Sequence, residues 1–210
     1  MLKIGVFGGT FDPIHIGHVV AANTTRKQLD LDIVLFVPCW ESPLKASSRP
    51  VAARHRLAMV KIGTKRENHF SVSGIEVERE GISYTVETVR DLKGHYRSDA
   101  KLYLMVGSDA FKDMHRWRDP ERIAEMCDIV VILRPGVEDG IVDREIKARS
   151  QQQADPITIT GPTVGLSATE LRRKIYKGEP VKHLLPLGVG DYIKNNKLYE
   201  ASENSQEGRI

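Results

Sequence analysis

Much of what this sequence lacks narrows its reading before any motif does. Its only cysteines are Cys39 and Cys127. They are far apart and outside any Cys-x-x-Cys pair, so a disulfide framework is excluded and idle or buried thiols are expected. No apolar run approaches the ~20 residues that span a bilayer, and no leader pattern opens the chain. A cytoplasmic protein with no membrane partner is therefore expected. The formal net charge of +3 is too small to argue for a nucleic-acid partner, though it allows a local basic site for phosphates. There is no internal repeat and no linker. With 210 residues, 40% of the chain hydrophobic and 28% charged, the composition is that of a globular domain and not of a disordered chain. A single domain over 1–199 is expected, with 200–210 as a polar, disordered tail.

What is present alternates. Continuous apolar runs at 3–7, 33–37, 102–106 and 129–133 have strand length and suit parallel strands covered on both faces. Residues 70–73, 75–78 and 157–159 read as shorter strands. Helices are predicted over 17–29, 51–62 (carrying Arg54 and Arg56), 84–93, 143–152, 169–176 and 187–195. A further helix starts at Pro120 with Asp119 as N-cap. Strand–helix–strand units of this size are right-handed. The fold class is α/β: a Rossmann-like, doubly wound parallel sheet with a small C-terminal helical element.

The first strand leads into Gly8-Gly9-Thr10-Phe11-Asp12-Pro13-Ile14-His15-Ile16-Gly17-His18. The glycines suit a tight turn or close approach to a ligand. Pro13 supports an extended or turning entry to the helix. A helix start offers N–H groups and a positive dipole end to anions, and His15 and His18 share one side of that turn. The same residues also fit a glycine-rich turn with two surface histidines. A zinc pair would need a third ligand, and none follows at suitable spacing. Gly8-Gly9-Thr10, Pro38-Cys39-Trp40, Gly107-Ser108-Asp109 and Arg134-Pro135-Gly136 all stand at strand ends, where open parallel sheets bind ligands. Ser167-Ala168-Thr169-Glu170 is a capping-box pattern with Arg172 following, and it is the second phosphate candidate.

The segment Gly8 to His18 resembles the signature of the HxGH nucleotidyltransferases, whose Rossmann-like core is shared with class I aminoacyl-tRNA synthetases. Leu166 to Arg172 resembles that family's I-S-S-T-x-x-R motif, with Ala168 in place of the second serine. The resemblance implies ATP binding by Gly8, Gly9, Thr10, Phe11, His15, His18, Ser167, Thr169 and Arg172. The histidines would act as the catalytic pair, and Mg²⁺ would accompany ATP without an assigned protein ligand.

Further along, residues 81–88, Gly107-Ser108-Asp109, His115-Arg116-Trp117, Arg134-Pro135-Gly136 and 185–193 with Leu198-Tyr199 resemble landmarks of bacterial nicotinate-nucleotide adenylyltransferases. That resemblance implies ATP and nicotinate mononucleotide as substrates, and nicotinate adenine dinucleotide and pyrophosphate as products, within NAD biosynthesis. It assigns the acceptor to Lys45, Tyr84, Thr85, Asp109, Trp117 and Arg134, with Trp117 as a ring platform. Leu44 stands where the family commonly has histidine, and Trp40 is expected to help close the site instead. A homo-oligomer is compatible with the sequence. Alternatives are a sister transferase acting on nicotinamide mononucleotide or phosphopantetheine, and a non-enzymatic nucleotide sensor. An aminoacyl-tRNA synthetase is disfavoured by length and by the missing Lys-Met-Ser-Lys-Ser stretch. A dinucleotide oxidoreductase is disfavoured because no Gly-x-Gly-x-x-Gly follows the first strand.

Overall fold

The computed structural model describes residues 1–44, 50–96, 99–133, 155–161 and 166–200. Lys45, Arg134 to Gly136, the helix expected over 143–152 and the tail from 201 lie outside the described residues. The apolar runs form the strands they predict: β1 (Leu2–Gly9), β2 (Ile33–Pro38), β4 (Ala100–Gly107) and β5 (Asp128–Leu133), with the shorter β3 (Phe70–Val72) and β6 (Ile157–Thr160). They make one six-stranded sheet in the order β3-β2-β1-β4-β5-β6. Every neighbouring pair is parallel. The strand order reverses between β1 and β4, and the crevice outside that point is where such sheets bind ligands.

Alternate residues of each run face opposite sides, and both sides are apolar. Phe7, Phe36, Tyr103 and Met105 pack on one face, while Val6, Leu35, Leu104 and Val106 pack on the other. Double coverage explains why these strands read as unbroken hydrophobic runs. Gly5 suits this packing, because a Cβ there would meet Met105 Sδ at 2.7 Å and Leu31 Cδ1 at 2.8 Å, and both side chains would have to shift.

The helices are α1 (Ile16–Leu29), α2 (Ala53–Thr64), α3 (Ile75–Arg79), α4 (Thr85–Tyr96), α5 (Ser108–Lys112), α6 (Pro120–Met126), α7 (Ala168–Tyr176) and α8 (Val189–Asn195). Among the described residues no helix is long and apolar enough to cross a membrane. The segment expected as a strand over 75–78 is helix α3. The chain leaves the sheet at Ser73, whose hydroxyl accepts the Ile75 N–H at 3.3 Å, and α3 then buries Glu76. Four alternating residues cannot separate the two periods. Asp119 does precede α6, and Pro120 opens it, but Asp119 takes a left-handed conformation (φ 48°) and makes no side-chain cap. At the C-terminus Val189 and Ile193 are buried, whereas Leu187 is exposed and precedes α8.

Candidate active site

A cleft of about 1290 Å³ opens at the carboxyl ends of the central strands. Gly8, next to last in β1, and Gly107, last in β4, face it, and a Cβ on either would meet nothing within 4 Å. Neither has a positive φ; that conformation falls on Phe11 (φ 48°). So the turn does not demand glycine at Gly8, and the close-approach reading is the one that fits. Asp12–Pro13 is a cis peptide bond.

His15 is the N-cap of α1 and His18 its third helical residue. This spacing brings the rings together, with centroids 3.7 Å apart and planes 25° from parallel. The His15 backbone N–H donates to His18 Nδ1 at 3.2 Å. An accepting Nδ1 leaves the proton of a neutral imidazole on Nε2, the other ring edge. Phe11 packs edge-on against His18 at 5.1 Å and against Phe7 at 5.7 Å, so the ring has little room to turn.

Two residues that the sequence reading left without a role organise this loop. Arg56 on α2 is buried and donates to the Thr10 carbonyl at 2.8 Å, the Trp40 carbonyl at 2.7 Å and the Val51 carbonyl at 3.0 Å. One guanidinium thus ties the loop after β1 to the loop after β2. Asp12, also buried, accepts the Tyr199 hydroxyl at 2.7 Å and the Val51 N–H at 3.4 Å. Its other oxygen lies 3.5 Å from Arg172.

Arg172 donates to the Asp12 carbonyl oxygen at 2.8 Å and to Thr169 Oγ1 at 3.2 Å. Ser167 caps α7, its oxygen accepting the Glu170 N–H at 3.1 Å. That leaves the hydroxyl hydrogen free to donate into the cleft.

Tyr84, Thr85, Asp109 and Trp117 also line the cleft. The Tyr84 carbonyl accepts the Glu87 N–H at 3.1 Å, placing Tyr84 at the start of α4. Glu76 lines the cleft too. Thr88 donates to it at 2.6 Å, and it is also hydrogen-bonded to Ser83, whose oxygen accepts the Trp40 N–H at 2.9 Å. Burial raises the Glu76 carboxyl above its ordinary 4.5, opposed by hydrogen bonds from Thr88 and Ser83 and by Arg79 and Arg56. Cys39 lines the cleft, but burial raises its thiol. Cys127 is pushed up to about 12, also by burial. Neither is a thiolate nucleophile at neutral pH.

The cleft therefore gathers Gly8, Gly9, Thr10, Phe11, His15, His18, Tyr84, Thr85, Asp109, Trp117, Ser167, Thr169 and Arg172 along one wall or another. Leu44 and Ala168, the two departures in the motifs, also line it. Trp40 is not a lining side chain; its backbone serves Arg56 and Ser83 instead. The Arg56 signal lay in the helical spacing of Ala53, Arg56, Val60 and Thr64, all buried, which puts the charge on the core side of α2.

A family model described as cytidylyltransferase-like matches residues 6–174. The chain belongs to the cytidylyltransferase-like family. Its relatives there match over nearly their whole length. A probable nicotinate-nucleotide adenylyltransferase of Thermoanaerobacter sp. (strain X514) is 36% identical, with 97% of each chain covered. One from Roseiflexus sp. (strain RS-1) is 39% identical, covering 93% of this chain and 97% of the relative. Among solved structures, Plasmodium falciparum nicotinic acid mononucleotide adenylyltransferase complexed with NaAD superposes with a TM-score of 0.75 at 19% identity, covering 95% of this chain and 98% of that one. That likeness bears out the Rossmann-like fold of this cytidylyltransferase-like chain.

Proposed function

We propose that this cleft joins ATP and nicotinate mononucleotide, giving nicotinate adenine dinucleotide and pyrophosphate. The observation that carries the reading is the closure of the two motif segments on each other. Arg172 reaches the Asp12 carbonyl at 2.8 Å across 160 positions of sequence, so the histidine pair and the Ser167–Arg172 segment share one cleft. The near-full-length relatives named for this activity support the same acceptor.

Chemically, an oxygen of the mononucleotide phosphate attacks the α-phosphorus of ATP. The new P–O bond forms as the bond to the bridging oxygen breaks, and its electron pair leaves with pyrophosphate. A phosphate monoester is ionised near neutral pH, so no side chain has to serve as nucleophile or strong base. Catalysis then consists of positioning and of stabilising charge on phosphoryl oxygens. His18 would present Nε2–H, and the α1 N-terminus, Thr10, Ser167, Thr169 and Arg172 would share the remaining charge. Tyr84, Thr85 and Trp117 would hold the pyridine ring, with Asp109 toward ribose hydroxyls. Lys45 and Arg134 are further proposed acceptor contacts.

The donors on the triphosphate side are neutral or cationic, and among the described residues no group of three or more His, Cys, Asp or Glu side chains could hold a metal. Such a set fits an anion. Mg²⁺ would accordingly enter bound to ATP, keeping phosphate and water ligands, and would neutralise charge on the leaving pyrophosphate.

The test is pyrophosphate release from ATP with nicotinate mononucleotide, nicotinamide mononucleotide or phosphopantetheine as acceptor. Preference for the first is expected. Binding of ATP without pyrophosphate release would mark a sensor, and preference for another acceptor would mark a sister transferase.

A further inference from the structure

Three arginines line the cleft among the described residues: Arg116, Arg118 and Arg172. Arg172 belongs to the triphosphate side through Asp12 and Thr169. Arg116 is held by Asp113 within its own 3-10 turn, at 3.4 Å. Arg118 differs in its placement. Its guanidinium carbon stands 4.7 Å from the centre of the Tyr84 ring, and its Nη1 donates to Glu87 Oε1 at 3.1 Å. Tyr84, Thr85, Trp117 and Arg118 all line the cleft, with Arg118 over the Tyr84 ring.

We propose that Arg118 is a specificity-determining residue, the cation that lets the acceptor pocket prefer a pyridine carboxylate over a carboxamide. The proposal rests on the function given above. An aromatic face holds the planar guanidinium in place while leaving its fork available. Arg118 lines the cleft, whereas Glu87 lines the adjoining depression that Arg118 also borders. The Arg118 side chain is 53% exposed, so it can turn from Glu87 toward the cleft. Glu87 is not left alone when Arg118 turns away, since Arg79 Nε lies 4.0 Å from its other oxygen.

The exchange is selective by charge. A substrate carboxylate can replace Glu87 on the guanidinium with two parallel charge-assisted hydrogen bonds. A neutral carboxamide offers one acceptor oxygen and no charge, and it cannot displace an ionised glutamate. Glu87 thus acts as an internal competitor that a substrate carboxylate has to displace, and it occupies the guanidinium when a neutral acceptor is bound. Apolar contact with Trp117 alone would separate the two acceptors poorly, because they are nearly the same shape.

The experiment measures kcat and KM for nicotinate and nicotinamide mononucleotides with the full chain, its Arg118→Gln and Arg118→Lys variants, and Glu87→Gln. Arg118→Gln is expected to lose about 10–100-fold in kcat/KM for the nicotinate acceptor, mainly through KM, and far less for the nicotinamide one. Arg118→Lys should recover part of the ratio, having charge without the fork. Glu87→Gln should lower KM for the nicotinate acceptor by removing the competitor. If Arg118→Gln leaves the ratio of the two acceptors unchanged while the parent chain prefers nicotinate, the role of Arg118 is overturned and the function stands. If the parent chain does not use nicotinate mononucleotide, the functional reading falls with it.

Discussion

The imidazole of His18 is hemmed in by His15 stacked at 3.7 Å, by Phe11 at 5.1 Å and by Phe7 at 6.2 Å. Its Nδ1 is committed to the His15 N–H. A donor fixed in advance needs no reorganisation as charge develops, which is where such groups have their effect. His18→Ala should lower kcat by about 10²–10³ with the fold retained, as measured by pyrophosphate release alongside circular dichroism; near-normal turnover would refute the role. Glu76 makes a different prediction. Its folded pKa is raised by burial, so the native state holds this proton more tightly than the unfolded chain. Its contribution to stability is therefore complete below the ordinary value of 4.5 and declines as pH rises through the elevated folded value. Denaturant midpoints taken across that range should show a falling component in the parent that Glu76→Gln lacks. The motif histidines were legible because their chemistry and spacing are local. Glu76 was not, since on a four-residue segment it looked like the polar side of a strand.

Helix α2 shows what an element can hide. Its neighbour strands were readable from apolar runs, because a doubly covered parallel sheet leaves no polar face to confuse the pattern. In α2 a charged residue occupies the core stripe, and a charge is ordinarily counted as solvated surface. Arg56 is there because loop carbonyls of Thr10, Trp40 and Val51 would otherwise be short of donors. Arg56→Met keeps the bulk and removes every donor, so it should destabilise the protein by about 1–3 kcal/mol for each carbonyl left buried and unmet. Urea unfolding would measure that loss, and KM for ATP should rise with it because the loop carrying Thr10 is released. Arg56→Lys should recover little, since one ammonium cannot span three carbonyls set around a planar fork. Unchanged stability in Arg56→Met would mean the loops hold themselves.

On the scale of the whole chain, the site is closed by its two extremes. Asp12 and Tyr199, 187 positions apart, share a 2.7 Å hydrogen bond. Burial, with the Asp12 charge and hydrogen bond, raises the phenol well above its ordinary pKa of 10.0, so it remains a donor at any physiological pH. Tyr199→Phe removes a bond to a buried carboxylate and should cost about 1.5–3 kcal/mol, read from the unfolding midpoint. With Asp12 less restrained, Arg172 should serve ATP less well, and KM for ATP should rise. An unchanged KM would limit Tyr199 to stability. No periodicity or motif spacing connects position 12 with position 199. The pairing follows only from tertiary packing, which is why the parallel sheet could be anticipated and this contact could not.

The link between Asp12 and Tyr199 makes the C-terminal segment a remote reporter of the cleft. Helix α8, just before Tyr199, also reaches α2 through Tyr192, whose hydroxyl lies 2.9 Å from His55 Nδ1. None of its residues lines the cleft. A nucleotide that draws Arg172 away from Asp12 therefore changes the footing of Tyr199, and by reciprocity anything that loosens α8 changes nucleotide affinity by the same factor. Slowed or quickened amide exchange in Val189–Asn195 would register occupancy of a pocket those residues never touch.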